Sequence, residues 1–235
     1  MRVALVDGDI VAFRCAASAN NDPEEIALLR ADQLMRDIGA ACQADLTCTF
    51  ISGHRNFRYD LYPEYKANRR ESVDPVHRQA TKNFLVTEWA ALVSDGYEAD
   101  DHIGITHAAF GGDTPIICSI DKDFKQLSGE FYNFVKNEFF HVDEVNAKRF
   151  FYKQLILGDK SDNIPGYDGK PRAKPTKEIQ RYWDFLDGLD SELDMYLQVV
   201  DAFMAAGQTV DDVLLTAKLC YIWRKENDEW KPPTE

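Results

Sequence analysis

The chain has 235 residues, is 45% hydrophobic and has a net charge of -13, with 40 acidic against 27 basic side chains. This length and hydrophobic content allow a substantial buried core, in one large α/β domain or in a core with a smaller appendage. The acidic balance argues against a general affinity for nucleic acid, because phosphate binding depends on Lys and Arg displacing counterions. The distribution of charge along the chain is therefore more informative than its total.

The cysteines and the N-terminal residues indicate the compartment. The cysteines form no CxxC pair and are odd in number, so we expect reduced, buried thiols. They are Cys15, Cys42, Cys48, Cys118 and Cys220. The chain opens on a strand-like run without a signal-peptide pattern, and it has no apolar run long enough for a membrane helix. These features predict an intracellular, membrane-free protein.

The apolar pattern predicts alternating strands and helices along the chain. Short apolar runs predict strands at 2–6, 46–51 and 115–119, and helical spacing predicts helices at 23–44, 77–93 and 97–110. Alternation of this kind favours a parallel or mostly parallel sheet, and we expect a three-layer α/β fold. Residues 131–135 and 139–142 would extend the sheet as edge strands.

The C-terminal third has a different pattern. From residue 145 onward it is helical, apart from a loop at 159–175 that is rich in Gly, Pro and Lys. We expect a core at residues 1–157, a helical region at 158–226 and a polar tail at 227–235.

Acidic clusters follow several of the apolar runs. They comprise Asp7, Glu98, Asp100, Asp101, Asp121, Asp123, Asp159 and Asp162. Because ligands bind beyond the carboxyl ends of parallel strands, Asp7 and Asp121 are expected at one edge of the sheet. Carboxylates that converge either raise one another's pKa or need a cation. The clusters therefore predict a shared site for divalent metal ions.

Each cluster also has a structural interpretation. Glu98, Asp100 and Asp101 fall in the first turn of a predicted helix, where carboxylates cap amide groups and favour the helix dipole. Asp121 and Asp159 suit an N-cap and an Asx turn. Taken singly, each cluster is more typical of capping. Four clusters at element boundaries favour the metal site.

A basic segment, residues 54–82, stands out from the acidic background. Its seven cations and four acids give +3, and the cations are Arg55, Arg58, Lys66, Arg69, Arg70, Arg78 and Lys82. The interspersed aromatic residues Phe57, Tyr59, Tyr62 and Tyr65 suit a surface that binds phosphates and stacks on bases. A solvated, partly disordered loop is the alternative. A second basic run, with Lys170, Arg172, Lys174, Lys177 and Arg181, follows the last acidic pair.

Several motifs, in order, resemble the 5′ nuclease family, which includes the exonuclease domain of DNA polymerase I, flap endonucleases and phage exonucleases. They are Val6-Asp7-Gly8-Asp9, Phe57-Arg58, Tyr65-Lys66-Ala67-Asn68-Arg69, Tyr97-Glu98-Ala99-Asp100-Asp101, Asp121-Lys122-Asp123-Phe124 and Gly158-Asp159-Lys160-Ser161-Asp162-Asn163-Ile164-Pro165-Gly166. The match spans about residues 1–170, and the acidic motifs together are highly specific. It implies a PIN-like core with the basic segment as a mobile arch.

The resemblance implies roles for these residues. All eight acids would hold two Mg²⁺ or Mn²⁺ ions, since hard ions prefer oxygen ligands. The reaction would be metal-dependent hydrolysis of DNA from a 5′ end, or of a 5′ flap, with Asp7, Lys66 and Arg69 as catalytic residues. Contacts to DNA would come from Arg58, Tyr65, Lys66, Arg69, Arg70, Lys170, Arg172 and Lys174, with Tyr65 stacking on a base. The partner would be DNA, with RNA in hybrids as a further candidate, bound by a monomer in the cytoplasm of a bacterial or phage-infected cell.

Two positions depart from the family pattern. Ser52 stands where many relatives have an acid after the second strand. After Gly166, relatives often have a glycine-rich turn that grips duplex DNA through amide groups and a K⁺ ion. Here Pro171 lacks an amide donor, so the duplex grip and the use of K⁺ are both in question.

Three alternatives remain. Residues 3–11 also fit the opening motif of haloacid-dehalogenase-type phosphatases, with Asp7 as a covalent nucleophile and Asp9 as an acid. That class explains neither Glu98 to Asp101 nor the basic segment. A PIN-type ribonuclease would lack the long basic segment. A catalytically weak DNA-structure binder would account for Ser52.

Overall fold

The computed structural model describes residues 1–70, 72–111 and 115–234. Its sheet has the strand order β3-β2-β1-β4-β5-β6, and each neighbouring pair is parallel except the β5–β6 pair. The strands are β1 (Val3–Asp7), β2 (Leu46–Asn56), β3 (Leu92–Gly96), β4 (Pro115–Cys118), β5 (Gly129–Asn133) and β6 (Glu138–Val142). The predicted mostly parallel α/β fold is confirmed.

Helices cover both faces of the sheet and form the C-terminal part. They are α1 (Gly8–Ser18), α2 (Glu24–Cys42), α3 (Phe57–Leu61), α4 (Arg78–Glu88), α5 (Ala99–Ala109), α6 (Glu144–Leu157), α7 (Lys177–Leu186), α8 (Glu192–Ala205) and α9 (Val210–Cys220). Short 3₁₀ turns lie at Ala67–Arg69 and Lys122–Gln126. Among the described residues, no helix is long and apolar enough to span a membrane.

Alternation along β1 builds the two cores that flank the sheet. Ala4 and Val6 pack with α1, α2 and α4 on one face. Val3 and Leu5 pack on the other face, with Ala99 and Ile103 of α5. Successive side chains of a strand point to opposite faces, so one apolar strand supplies both cores. This produces the three layers.

A third core joins α6 to α9 and includes Tyr65 of the basic segment and Trp230 near the C-terminus. Trp230 is buried against Phe151 and Tyr196. The prediction of a polar tail at 227–235 was therefore wrong for this residue. One buried indole anchors a segment whose other residues are mostly polar.

Three elements were missing from the sequence prediction: α1, β3 and the short helix α3 inside the basic segment. Helix α1 follows β1 directly, and Asp7 caps it by accepting a hydrogen bond from the Ile10 amide. Strand β3 lies where the helix at 77–93 was expected to end. Because Leu92 and Val93 are about half exposed on this edge strand, their side chains lack the buried pattern of a central strand. Strand β2 also extends to Asn56, beyond the predicted end at 51.

Candidate active site

The sheet places acidic residues at the point where its strand order reverses. Strand β1 pairs with β2 on one side and with β4 on the other. Asp7 ends β1, and Asp121 lies three residues beyond β4. In open α/β sheets, the crevice at such a reversal is the usual place for a ligand. The predicted convergence of these two strand ends is what the structure shows.

A cleft of about 760 Å³ opens at this edge. Six of the eight predicted acids line it: Asp7, Glu98, Asp100, Asp121, Asp123 and Asp162. Cations of the basic segment line it too, namely Arg55, Lys66, Arg69, Arg70, Arg78 and Lys82. These six acids, from four parts of the chain, thus face a common space rimmed by positive charge.

Asp7 lies close enough to Asp9, Asp100 and Asp121 for their charges to interact. It is buried, and it accepts hydrogen bonds from the Ile10 amide at 3.1 Å and from Ser119 Oγ at 2.7 Å. Burial raises the pKa of Asp7 to about 7, and the charge of Asp9 adds to this effect. Near neutral pH, this carboxyl is therefore balanced between its protonated and ionised forms.

Three neighbouring carboxyls are shifted in the same direction. Burial, with the charges of Asp7 and Asp121, raises the pKa of Asp100 well above its usual range. Burial and the charge of Asp121 do the same to the pKa of Asp123. Burial also raises the pKa of Asp121 itself. The group has more negative charge than the protein neutralises, so a bound cation would lower its electrostatic energy.

Cations of the protein already neutralise Glu98 and Asp162. Burial opposes the ionisation of Glu98, but the charges of Lys66 and Arg58 outweigh it and lower the pKa of Glu98 to about 2. Lys66 donates to Glu98 Oε1, and Arg69 donates to Asp162 Oδ1. Tyr65 Oη bridges the two acids, 2.8 Å from Glu98 Oε2 and 3.1 Å from Asp162 Oδ2.

Backbone contacts fix this part of the basic segment on the loop after α6. The Lys66 amide donates to the Asp162 carbonyl oxygen at 2.8 Å, and Arg69 Nε donates to the Ser161 carbonyl oxygen at 2.9 Å. Asn163 Nδ2 donates back to the Glu64 carbonyl oxygen at 2.8 Å. Lys66 adopts a left-handed conformation with φ of 54°. The segment is docked on the acidic loop on both sides of Lys66.

Asp101 does not face the cleft. It is fully buried, and both of its oxygens accept from the guanidinium of Arg58, at 2.6 and 2.8 Å. The same carboxylate accepts from the amides of Glu98 and Trp223. These bonds use the lone pairs that an ion would need. The predicted metal-ligand role is therefore replaced by helix capping and a buried ion pair.

The same contacts correct the role expected for Arg58. Its side chain is only 3% exposed. Its remaining donors bond to the carbonyl oxygens of Leu219 and Tyr221 at the end of α9. With every donor group occupied inside the protein, Arg58 joins the sheet to the C-terminal helices instead of contacting DNA.

Two other predicted residues are buried. Asp159 is 2% exposed and accepts from Lys122 Nζ at 2.8 Å and from the Ser161 amide at 2.6 Å, which is the turn role weighed above. Tyr65 is 1% exposed, so its ring is not available for the predicted stacking on a base. Its hydroxyl instead orients Glu98 and Asp162.

The predicted duplex contacts differ in exposure. Lys170 and Lys174 are exposed. Arg172 is paired with Asp168 through both nitrogens, one of them at 2.6 Å, and lies over the Tyr167 ring. Arg70 lines the cleft and donates to the Pro63 carbonyl oxygen. Of these four cations, Arg172 is paired with a carboxylate, whereas the two lysines and Arg70 place their positive charge at the surface.

A family model described as "5′-3′ exonuclease, N-terminal resolvase-like domain" matches residues 2–152. The chain belongs to this family. The match favours the nuclease interpretation over the phosphatase alternative, and it covers β1 through most of α6.

Curated relatives agree with this assignment. DNA polymerase I of Borreliella burgdorferi is 33% identical over 166 residues, covering 64% of this chain and 18% of the relative. The 5′-3′ exonuclease of Bacillus subtilis is 30% identical over 158 residues, covering 58% of this chain and 52% of the relative. The chain thus spans about a fifth of the polymerase and about half of the exonuclease.

Solved structures share the fold of this family member. A bacteriophage T5 flap endonuclease in a pseudo-enzyme-product complex with DNA and metal ions aligns with a TM-score of 0.67 and 17% identity, covering 94% of this chain and 89% of that one. A T5 5′-exonuclease with bound zinc ions aligns with a TM-score of 0.65 and 18% identity, covering 94% and 91%.

In the nuclease interpretation, sequence reasoning gave no site role to Ser119, Lys122 or Asp9, and it named Lys82 only as one cation of the basic segment. Ser119 donates to Asp7, and Lys122 neutralises Asp159. Asp9 and Lys82 form an ion pair inside the cleft. Lys122 lies between Asp121 and Asp123, a position that could have signalled its role. The spacing of Ser119 from Asp7 carries no such signal, because 112 residues separate them.

The donor set of the cleft fits hard divalent ions. Each of the six predicted acids in the cleft offers oxygen atoms. Asp123 Oδ1 is buried with no hydrogen-bond partner among the described residues, although Lys122 Nζ lies 3.7 Å away. Within residues 1–70, 72–111 and 115–234, no three His, Cys, Asp or Glu side chains are already grouped to hold an ion.

Proposed function

We propose that the chain hydrolyses phosphodiester bonds of DNA at or near a 5′ end, using two divalent ions held in the cleft. The observation that carries this proposal is electrostatic. Buried carboxyls with a raised pKa share one cleft with basic side chains on its rim. A divalent cation would neutralise the carboxyls, and the basic side chains would bind a phosphate backbone.

The acids divide into two sets as possible ligands. Asp7, Asp100, Asp121 and Asp123 lack a neutralising cation sufficient to keep their pKa low, and would hold the ions directly. Glu98 and Asp162 are paired with Lys66 and Arg69, and would act through water or after those pairs open. Mg²⁺ or Mn²⁺ suits these oxygen donors. Bound ions would lower the pKa of water and stabilise charge on the phosphate under attack.

Basic side chains would orient the DNA strand. Arg55 and Arg70 are exposed at the cleft and would meet phosphates on arrival. Lys66 is paired with Glu98 and lines the same cleft as the acids, where its ammonium group can approach the phosphate that is cut. Charge placed in advance around the reacting group lowers the barrier without reorganisation during the reaction.

Finer features belong to the same proposal. From the sequence patterns above, we also propose a division into residues 1–157 and 158–226 and a monomeric state. The same patterns support action on RNA in hybrids and a cytoplasmic location. Duplex binding would use Lys170 and Lys174, which are exposed. The loop after Gly166 would then grip duplex through side chains, with no requirement for K⁺.

A cleavage assay tests the proposal. Duplexes labelled at the 3′ end, bearing a blunt end, a 5′ overhang or a 5′ flap, are incubated with Mg²⁺ or EDTA. We expect metal-dependent shortening from the 5′ side, and the preferred duplex separates exonuclease from flap activity. Binding without cleavage would instead support the DNA-structure binder, and hydrolysis of p-nitrophenyl phosphate alone would support the phosphatase.

Lys66 and Arg70 are expected to affect different steps. Lys66→Ala should lower kcat by roughly a hundredfold, because a charge beside the reacting phosphate is lost. Arg70→Ala should mainly weaken DNA binding and reduce the salt slope by about one. Single-turnover rates and binding at several salt concentrations separate the two. Equal effects on binding by both variants would contradict this division.

Asp7 should destabilise the metal-free protein at neutral pH. Since its pKa is about 7 when folded against an ordinary value of 3.8, the folded state binds the proton more tightly, and its stability falls as pH rises between these values. In EDTA, Asp7→Asn should therefore match wild type near pH 4 and melt at a higher temperature above pH 7. Thermal melts across this range measure the difference.

Addition of Mg²⁺ or Mn²⁺ provides the control for the Asp7 prediction. Wild type should gain stability on binding the ion, since ligands that bind only the folded state stabilise it. Asp7→Asn should gain less. Identical pH profiles for the two proteins in EDTA would show that folding does not raise the pKa of Asp7.

A further inference from the structure

Lys82, on α4, extends back into the cleft and contacts Asp9 of α1. Its Nζ lies 2.7 Å from Asp9 Oδ1 and donates to the Ser52 carbonyl oxygen at 3.0 Å. The two side chains are only 17% and 21% exposed. An ion pair this sheltered from solvent is screened less than a pair on the surface.

Ser52 connects this ion pair to two further elements. Its amide donates to Asp9 Oδ2 at 2.9 Å, and its Oγ accepts from the Ala99 amide at 2.9 Å, at the first residue of α5. With the bond from Lys82 to its carbonyl oxygen, every polar group of Ser52 is used. One residue within β2 thus joins α1, α4 and α5.

The basic segment leaves the core just after Ser52 and rejoins it at Lys82. The pairing of β2 with β3 shifts register between Ser52 and Asn56, and the chain then enters the segment that returns to the core in α4. The hydrogen bond from Lys82 to Ser52 therefore links the start of the segment to its end. The middle of the segment is docked separately, through Lys66 and Arg69, on the loop at 160–163.

We propose that Asp9 and Lys82 are a positioning pair, which fixes the base of the basic segment so that its cations meet the DNA strand over the acids. This inference rests on the proposed nuclease function. A displacement of about 1 Å in groups that orient a substrate can cost a large rate factor. Neither residue needs to touch DNA or a metal ion for this role.

Removing the charge of either residue should raise KM for the DNA substrate while leaving the affinity for metal ions unchanged. Lys82→Met keeps the apolar stem, and Asp9→Asn keeps the shape of the carboxylate. Each should raise KM for a 5′-flap duplex roughly tenfold, with kcat changed by less than about threefold. The double variant should be no worse than either single one, and Lys82→Arg should restore KM. Arg36→Met, which removes an exposed cation of α2 paired with Asp32, is the matched control.

Two readouts do not depend on cleavage. Mn²⁺ binding by calorimetry should stay within about twofold of wild type in both single variants. Trypsin should cut after Arg70 faster in both variants than in wild type or Arg36→Met, because the base of the segment is released. Circular dichroism confirms that each variant is folded, and Lys82→Arg should restore slow cutting.

Several outcomes would overturn the positioning role. Weaker Mn²⁺ binding in Asp9→Asn but not in Lys82→Met would make Asp9 a metal ligand instead. If KM and the rate of trypsin cutting were unchanged in both variants, the ion pair would have no positioning role. If wild type cleaves no DNA, the proposed nuclease function fails, whereas the trypsin experiment still decides whether the pair closes the segment.

Discussion

Asp121→Asn is expected to abolish DNA cleavage while leaving DNA binding largely intact. The substitution removes one negative charge and keeps the shape of the side chain. The new amide oxygen could still accept the hydrogen bond that Asp121 Oδ1 takes from the Asp123 amide at 2.9 Å, so the local 3₁₀ turn should persist. A loss of roughly a thousandfold in kcat corresponds to about 4 kcal/mol of transition-state stabilisation.

Calorimetry with Mn²⁺ should show the cause of that loss. We expect the affinity for at least one ion to fall, because an amide oxygen is a weaker ligand than a carboxylate. Asp201→Asn, at an exposed position on α8, removes the same charge away from the cleft and should leave cleavage unchanged. Full activity in Asp121→Asn would contradict the assignment of this acid to the metal site.

The location of the site could be predicted from the sequence because it follows from topology. Asp7 and Asp121 each follow a short apolar strand, and parallel strands bring their carboxyl ends to one edge. Local capping was also foreseeable, since Glu98 to Asp101 precede a helix. Both predictions depend on residues that are close in sequence to a recognisable strand or helix.

The separation of structural acids from site acids could not be predicted. Asp101 is adjacent to Asp100 in sequence, yet its partner Arg58 is 43 residues away, and the carbonyl of Leu219 that also binds Arg58 is 161 residues from it. Tyr65 is a similar case. Its aromatic neighbours in the sequence favoured a surface for bases, but contacts with the α6–α9 core bury its ring.

The burial of the Arg58–Asp101 pair leads to the second large prediction, which concerns stability. Asp101→Asn should lower the free energy of unfolding by about 3 to 5 kcal/mol, because the buried guanidinium loses its doubly hydrogen-bonded counter-charge and keeps only the weaker pairing with Glu98 Oε2, 3.7 Å away. In a chain of this size each kcal/mol shifts Tm by roughly 2 to 4 °C. Activity at moderate temperature should fall in parallel with the folded fraction. A metal ligand would show the opposite pattern, with activity lost and Tm in EDTA unchanged or raised.

A second Arg–Asp pair in the same protein provides the control. Arg55 and Asp95 also form two hydrogen bonds, but their side chains are 77% and 56% exposed. Asp95→Asn should cost less than about 1 kcal/mol, since solvent screens the pair and hydrates the remaining charge. Adding Arg58→Met to Asp101→Asn should recover part of the lost stability, because the unpaired buried charge is gone. If Asp101→Asn were no more destabilising than Asp95→Asn, Arg58 would have to be hydrated, and its assignment to the protein interior would be wrong.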